Sequence, residues 1–352
     1  VSEKFFITGG KPLAGTVRIS GSKNAALPIL AATLMLQGVS RVSNIPQIHD
    51  VAAFLEILEV LGVKTEAKND TLSVDSTNLK LQNELAHDHI KHMRASILLL
   101  APLLVRFGAV RLPFPGGCVL GKRSIASHLT ALTALGAEVT ESGEMIELTV
   151  PKGLHGARIV LPERSVTATE NAVMAAAALP EETEIRMAAS EPHVQNLCHF
   201  LVSAGAKITG IGSSTLHITG TKDLKNGSGA VTPDYLEAGT FILAAALTGG
   251  KVRVENVEPE HLDSFFQKLA EVGVNFKILA SEKVVEVSPA GKKLQAVNIQ
   301  TGVFPAFPTD LHPQFAVLLT QCEGTSKIFE TLFERKFAYL LELEKMGANV
   351  EI

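Results

Sequence analysis

Cysteine is scarce in this 352-residue chain: Cys118, Cys198 and Cys322 are an odd number, with no C-x-x-C spacing among them. That usage favours a reducing compartment and argues against a disulfide framework or a structural zinc. A chain of this length can bury large cores and needs no staples. Positive charge is not in excess either. A formal net charge of -4 and a pI near 6.3 speak against a general nucleic-acid binder, while leaving room for a local cationic pocket around a small anion. The expected partner is a metabolite. Long apolar runs are also missing. The start, Val1-Ser2-Glu3-Lys4, has no apolar signal segment, and the stretch 95–105 is shorter than a bilayer-spanning helix and ends at Arg106. A cytoplasmic protein with no membrane partner is the simplest expectation. No GxGxxG, GxxxxGK[ST] or HExxH motif occurs, so nucleotide-cofactor, P-loop and metalloprotease chemistries lose support.

What is present is an internal repeat. Leu61-Gly62-Val63, Leu135-Gly136-Ala137, Ala204-Gly205-Ala206, Val272-Gly273-Val274 and Met346-Gly347-Ala348 each follow an amphipathic helix-like segment and precede a strand-like one, with glycines 68 to 74 residues apart. Each unit opens on a small-residue helix, expected over 25–36, 94–105, 168–179, 237–247 and 310–319. A turn, a short strand and a second helix follow, as at 51–61 or 262–272. Glycine after each second helix suits a left-handed cap. The unit is therefore roughly βαβαβ, longer than an extended solenoid uses, and the fold class is α/β with several units closing into compact domains. The polar, glycine-containing segment 223–229 is the best candidate for a surface connection, with three units before it and two after. Residues 4–19 are strand-like, stand outside the first unit and are expected to pair with the late domain. A sixth unit would make the arrangement three plus three, so the chain reads as shortened at its C-terminus.

The chemistry-bearing residues cluster at unit starts. Cys118 lies in Pro115-Gly116-Gly117-Cys118-Val119-Leu120-Gly121-Lys122-Arg123, a glycine-punctuated loop free to move, where Lys122 and Arg123 can raise the thiolate fraction. An inert buried cysteine is the alternative, and it is the expectation for Cys198 and Cys322. Ser20-Gly21-Ser22-Lys23-Asn24 precedes an apolar helix, and a lysine beside free helix N–H donors can help hold an oxyanion; the plainer alternative is a capped helix with a solvent-facing lysine. Lys91-His92-Met93-Arg94 offers a similar cation, which could equally pair with a structural carboxylate. Asp310, in Ala306-Phe307-Pro308-Thr309-Asp310, is either an N-cap or a carboxylate that takes a proton from a sugar hydroxyl. Glu191 and Glu237 are further candidates between domains. Glu330, Glu334, Arg335 and Lys336 form a charged stretch whose plain interpretation is a solvated helix face.

Taken together, Lys23-Asn24-Ala25-Ala26-Leu27-Pro28, Met93-Arg94-Ala95-Ser96, Pro115-Gly116-Gly117-Cys118 with Gly121 and Arg123, and Phe307-Pro308-Thr309-Asp310 resemble the UDP-N-acetylglucosamine 1-carboxyvinyltransferase family of cell-wall enolpyruvyl transferases. The resemblance runs from Phe5 to Ile352. It implies two inverse α/β domains of βαβαββ units closing over a cleft: 22–232, carrying the Cys118 loop, and a discontinuous domain of 1–21 with 233–352. It also implies transfer of the enolpyruvyl group of phosphoenolpyruvate to the 3-hydroxyl of UDP-N-acetylglucosamine, with no cofactor or metal. On that resemblance Cys118 is the acid, forms an adduct with phosphoenolpyruvate and is alkylated by fosfomycin, while Asp310 is the base. Lys23 acts with Arg94 and Arg123 on the anionic groups. Asn24, Ser124, Ile125, Ala126, Ser127 and Thr309 contact the sugar nucleotide, and Glu330 and Lys336 join the substrate-binding set. This chain departs from the family where Ser124-Ile125-Ala126-Ser127 replaces Pro-Val-Asp-Leu and where Lys336 replaces an arginine, which loses the planar donor fork. The family's final unit lies beyond Ile352, so an incomplete chain or a poorly active relative is expected. The alternatives are the shikimate-pathway enolpyruvyl transferase, whose family lacks the Pro-Gly-Gly-Cys loop, and a noncatalytic UDP-sugar sensor on the same scaffold.

Overall fold

The structure, a computed structural model, describes residues 4–80, 90, 93–114 and 124–352. It divides into two compact units, Gly21–Thr232 and a discontinuous unit of Val1–Ser20 with Pro233–Ile352. After a first strand, β1 (Ala14–Arg18), the chain enters the Gly21–Thr232 unit with α1 (Lys23–Ala32), β2 (Val39–Ser43), α2 (His49–Val60), β3 (Lys64–Lys68) and β4 (Thr71–Asp75). A 3-10 turn over Arg94–Leu99 leads into α3 (Leu100–Phe107), β5 (Ala109–Pro113), α4 (Ala126–Ala134), β6 (Glu138–Ser142) and β7 (Met145–Thr149). Then come β8 (Arg158–Val160), α5 (Val166–Ala177), β9 (Glu182–Arg186), α6 (Pro192–Ser203), β10 (Lys207–Thr209), β11 (Thr215–Thr219) and β12 (Ser228–Ala230).

The second unit adds α7 (Tyr235–Leu247), β13 (Lys251–Glu255), α8 (Asp263–Val272), β14 (Asn275–Leu279), β15 (Val284–Ser288), β16 (Ile299–Gln300), α9 (His312–Leu319), β17 (Ile328–Phe329) and α10 (Ala338–Lys345). One sheet pattern recurs. The leading strand pairs antiparallel with the last strand of the hairpin that follows its helix: β2 with β4, β5 with β7, β9 with β11, and β13 with β15. In three sheets an outside strand joins the leading strand in parallel: β12 beside β2, β8 beside β9, and β1 beside β13. The strand-like N-terminal segment thus narrows to Ala14–Arg18, paired in register from Ala14 opposite Lys251 to Arg18 opposite Glu255.

Gly62, Gly136, Gly205, Gly273 and Gly347, which mark the repeat, all have left-handed φ between 87° and 114°, a conformation that glycine adopts without a Cβ penalty. The repeat is βαβαββ, one strand longer than periodicity suggests. Short, half-exposed segments such as Lys64–Lys68, with no apolar alternation, carry little strand signal before their tertiary pairing is known. The segment 223–229 is not a free connection. Leu224 is buried, Gly227 sits against the Phe200 ring so closely that a Cβ would lie 2.4 Å from it, and Ser228–Ala230 is already strand; the chain leaves this unit after Thr232.

In the Gly21–Thr232 unit the alanine-rich helices α1 and α5 are buried nearly all round, because alanine lets neighbours approach from every side, and α3 is buried over its leucine-rich first residues, Leu100 to Leu104. Asn171 ties buried α5 to α3 and to the 3-10 turn before it: its Oδ1 accepts from Ala101 N at 3.0 Å and its Nδ2 donates to Ile97 O at 3.1 Å. That amide holds the junction between the 3-10 turn and α3, and so fixes where Arg94 emerges. In the second unit the core is more aromatic. Phe265, Phe307 and Phe315 meet with ring centroids 5.3 to 6.2 Å apart, and Phe307 anchors the residues that follow it, Pro308 to Asp310. Phe315→Ala is expected to cost about 3–5 kcal/mol, seen as a lower urea midpoint for the transition of this unit; a loss under about 1 kcal/mol would mean the cluster can collapse into the space. Among the described residues no helix is long and apolar enough to cross a membrane.

Candidate functional site

The residues singled out from sequence fall into two groups, one in each unit. In the Gly21–Thr232 unit, Gly21 packs so tightly under the Asn44 backbone that a Cβ would lie 1.9 Å from its carbonyl oxygen. Ser22 N–H donates to Thr232 O at 2.8 Å. These contacts fix the start of α1, whose first residues are Lys23 and Asn24 and whose first N–H groups have no intrahelical acceptor. Pro28, inside the helix, brings no N–H to the Asn24 carbonyl and so leaves it outside the helical ladder. Ser22 makes no side-chain cap bond. Lys23 is not simply solvent-facing, since its Nζ lies 3.0 Å from Asp50 Oδ2 at the start of α2. Both groups are half exposed, so this pair contributes little stability.

Arg94 opens the 3-10 turn and is not within an α-helix as expected; its Nη2 donates to Ser124 O at 3.4 Å. Ser124 Oγ in turn accepts Ala126 N–H at 3.0 Å. Arg94 is thereby brought to the segment Ser124, Ile125, Ala126 and Ser127 that leads into α4. Ser127 is buried and donates to Glu163 Oε1 at 3.2 Å. Next to it, buried His128 has Nε2 2.8 Å from Thr167 Oγ1, and burial, then the Arg94 charge, lower its pKa to about 4. A histidine with a depressed folded pKa gives stability that is whole above the unfolded value of about 6.5 and is lost as pH falls toward 4. Unfolding free energy is therefore expected to drop by on the order of 3 kcal/mol across that window. Urea melts of wild type and His128→Asn at pH 7 and pH 4.5 check this; equal pH slopes in the two proteins would refute it. Cys118 and Arg123, and the residues Lys91 and His92, lie outside the described residues.

In the second unit Asp310 does not cap α9. The helix begins at His312 with Leu311 at the cap position and no side-chain cap bond, and Leu311 N–H closes a turn onto Pro308 O at 3.0 Å. The Asp310 side chain is 53% exposed and accepts from the Lys336 ammonium, which also stands 4.9 Å over the Phe333 ring. Residues 330–336 are not a solvated helix face. Glu330 follows β17 with its side chain 1% exposed. Its Oε2 accepts from Thr301 Oγ1 at 2.9 Å and Thr309 Oγ1 at 2.8 Å, and its Oε1 accepts from Leu332 N and Phe333 N at 2.7 and 3.0 Å. The carboxylate is thus engaged by protein donors, and through Oε2 it holds Thr309.

Of the other expected carboxylates, Glu237 Oε2 accepts Ser20 N–H at 3.0 Å, and Glu191 is the residue before α6, where its side chain makes no cap bond. Burial, and secondarily the Glu191 charge, push the carboxyl of fully buried Glu170 well above the usual range. Asp50, Glu163, Thr301, His312 and Tyr339 were missed from sequence; each meets its partner across 18 to 36 residues, and no local pattern signals that. Among the described residues no group of three or more His, Cys, Asp or Glu side chains is placed to hold a metal ion.

Comparison with known proteins places this geometry. A family model described as EPSP synthase (3-phosphoshikimate 1-carboxyvinyltransferase) matches residues 7–352. The UDP-N-acetylglucosamine 1-carboxyvinyltransferases of Idiomarina loihiensis and Wolinella succinogenes are each 44% identical over 350 and 349 residues, covering 99% and 98% of this chain and 83% and 82% of theirs. That of Coxiella burnetii is 41% identical over 99% of this chain and 80% of its own length. Among solved structures, the enolpyruvyl transferase NikO from Streptomyces tendae superimposes with a TM-score of 0.84 at 24% identity, covering 96% of this chain and 79% of that one. EPSP synthase from Acinetobacter baumannii gives 0.67 at 19%, over 91% and 74%. At those identities the structural likeness establishes the fold alone, that of the enolpyruvyl transferases. The sequence likeness goes further, and by it this chain belongs to the UDP-N-acetylglucosamine 1-carboxyvinyltransferase family.

Proposed function

We propose that this protein transfers the enolpyruvyl group of phosphoenolpyruvate to the 3-hydroxyl of UDP-N-acetylglucosamine and releases inorganic phosphate. The observation that carries this reading is 41–44% identity, along nearly the whole chain, to relatives named for that reaction. Cys118 protonates the methylene carbon of phosphoenolpyruvate, which leaves cationic character on the adjacent carbon. The sugar oxygen attacks that carbon while Asp310 takes the hydroxyl proton. Cleavage of the bond to the phosphate oxygen and loss of a methyl proton then restore the alkene, so one enol ether and one phosphate leave. Lys23, Arg94, Arg123 and Lys336 hold the phosphate and carboxylate, where fixed cations stabilise developing charge more than water does. Asn24, Thr309 and the segment 124–127 hold the sugar nucleotide.

Support for these roles comes from Lys23 standing at a helix N-terminus, from Arg94 reaching Ser124, and from an Asp310 that is free of capping duty and faces a cation. The reading includes a cytoplasmic location, which the cysteine usage favours. It also includes three βαβαββ units in each domain. For the second domain the support is apolar surface: Leu341 of α10 and the following Met346 are 52% and 84% exposed, a face that a further unit would cover.

The test is phosphate release with phosphoenolpyruvate and UDP-N-acetylglucosamine, each omitted in turn. Release that needs both upholds the reading. Because the matching family model is described by the shikimate enzyme, shikimate 3-phosphate is offered as the competing acceptor; turnover of it in place of the UDP-sugar would overturn the choice. Tight UDP-sugar binding with no release would favour the sensor.

A further inference from the structure

Behind the Thr309–Asp310 turn lies a buried polar chain, of which His312 and Tyr339 have no part in the reaction proposed above. His312, the first residue of α9, is fully buried, with Nε2 3.2 Å from Glu330 Oε2 and Nδ1 3.0 Å from Tyr339 Oη. Its ring packs against those of Phe337 and Tyr339, at centroid distances of 5.7 and 5.5 Å. The other charged groups facing it are Asp310 and Lys336, which are paired with each other. Burial is the main effect on the imidazole and lowers its pKa, against the opposing pull of Glu330. Burial and then Glu330 likewise push the Tyr339 hydroxyl up. Both groups are neutral near pH 7.

A neutral imidazole with one nitrogen facing a carboxylate keeps its proton on that nitrogen, because a lone pair there would be repelled. The Nε2–H then faces Glu330, close but off the line of a hydrogen bond. The Nδ1 lone pair is left to accept from the Tyr339 hydroxyl. Glu330 in turn accepts the Thr309 hydroxyl proton, one residue before Asp310. The order Tyr339, His312, Glu330, Thr309 therefore ties α10 to the turn that carries Asp310.

We propose that His312 and Tyr339 are positioning residues, which set the Glu330 carboxylate and through it the place of the Thr309–Asp310 turn. This rests on the assignment of Asp310 as the base. Buried polar networks are seldom better for stability than apolar packing, but when satisfied they select one arrangement. Misplacement of a reacting group by about 1 Å can cost on the order of 100-fold in rate. A glutamine at position 312 could donate to Glu330 and meet Tyr339, whereas leucine could do neither.

The experiment uses the full chain and the variants Tyr339→Phe, His312→Leu and His312→Gln. Expected are falls in kcat of about 10- to 100-fold for Tyr339→Phe and His312→Leu, with KM for phosphoenolpyruvate within twofold and any rise confined to KM for UDP-N-acetylglucosamine, which Thr309 helps hold, and recovery of most of kcat in His312→Gln. Amide hydrogen exchange across 309–312 is expected to speed up in the first two variants, with α8 amides unchanged. Unchanged kcat in Tyr339→Phe, which keeps the ring and is the variant surest to fold, would overturn the proposal, as would exchange that rises uniformly through the unit. If the wild type releases no phosphate, the proposed reaction fails, and exchange at 309–312 alone decides the matter: a local rise upholds positioning, and a uniform rise or none removes it.

Discussion

Asp310→Asn is expected to lower the rate of phosphate release by about 10²- to 10⁴-fold, the range a positioned general base supplies, with the melting temperature almost unmoved. Asparagine keeps the size and hydrogen-bonding reach of the side chain but cannot take the sugar proton. Stability is spared because Asp310 does no structural work that the amide would lose. It is not the cap of α9, and its partnership with Lys336 is half solvated on the aspartate side, where ion pairs contribute little. A fall in kcat with KM for UDP-N-acetylglucosamine within a few fold separates base catalysis from substrate holding. Steady-state kinetics beside a thermal melt makes the check. A rate within tenfold of wild type would remove Asp310 as the base; a large loss of stability would mean that the Pro308–Leu311 turn depends on the carboxylate.

Cys118→Ala is expected to bring phosphate release below detection, and a thiol alkylating reagent at pH 7 to modify one cysteine per chain with matching loss of turnover. The other two cysteines are poor nucleophiles for reasons visible in the fold. Burial, with a smaller contribution from the Glu170 charge, pushes the Cys198 thiol up to about 12, so its thiolate fraction at pH 7 is on the order of 10⁻⁵. Burial also raises Cys322, whose Sγ lies 3.5 Å from Leu318 O. Cys118, followed by Lys122 and Arg123, has the cationic neighbours that favour thiolate. Peptide mapping after stoichiometric alkylation reads the site directly. Label on Cys322 in place of Cys118, or full turnover by protein alkylated at Cys118, would remove the thiol from the mechanism.

The α/β class, the five-fold recurrence and the sites of its caps were legible in the residues, because each rests on interactions within a few positions of chain. Glycine alone reaches φ near +90° without strain, so Gly62, Gly136, Gly205, Gly273 and Gly347 mark helix ends whatever surrounds them. The alanine runs of α1 and α5 likewise announce helices buried nearly all round. The segments that carry Lys23, Arg94 and Asp310 could be found in the same way, as short polar runs at the mouths of apolar helices.

Tertiary structure decided what those polar side chains do. Lys23 reads as free until α2 brings Asp50 to it. The segment 124–127 lacks the family's acidic side chain until the approach to α5 sets Glu163 against Ser127. Glu330 reads as one charge on a wet surface, yet Thr301, Thr309 and the backbone of Leu332 and Phe333 enclose it. The physical reason is one of range. Backbone preference and amphipathic period act over three or four residues and are written in local order, whereas the partner of a charge is whichever group packing delivers from a distant stretch of chain, and burial decides how strongly the two are coupled.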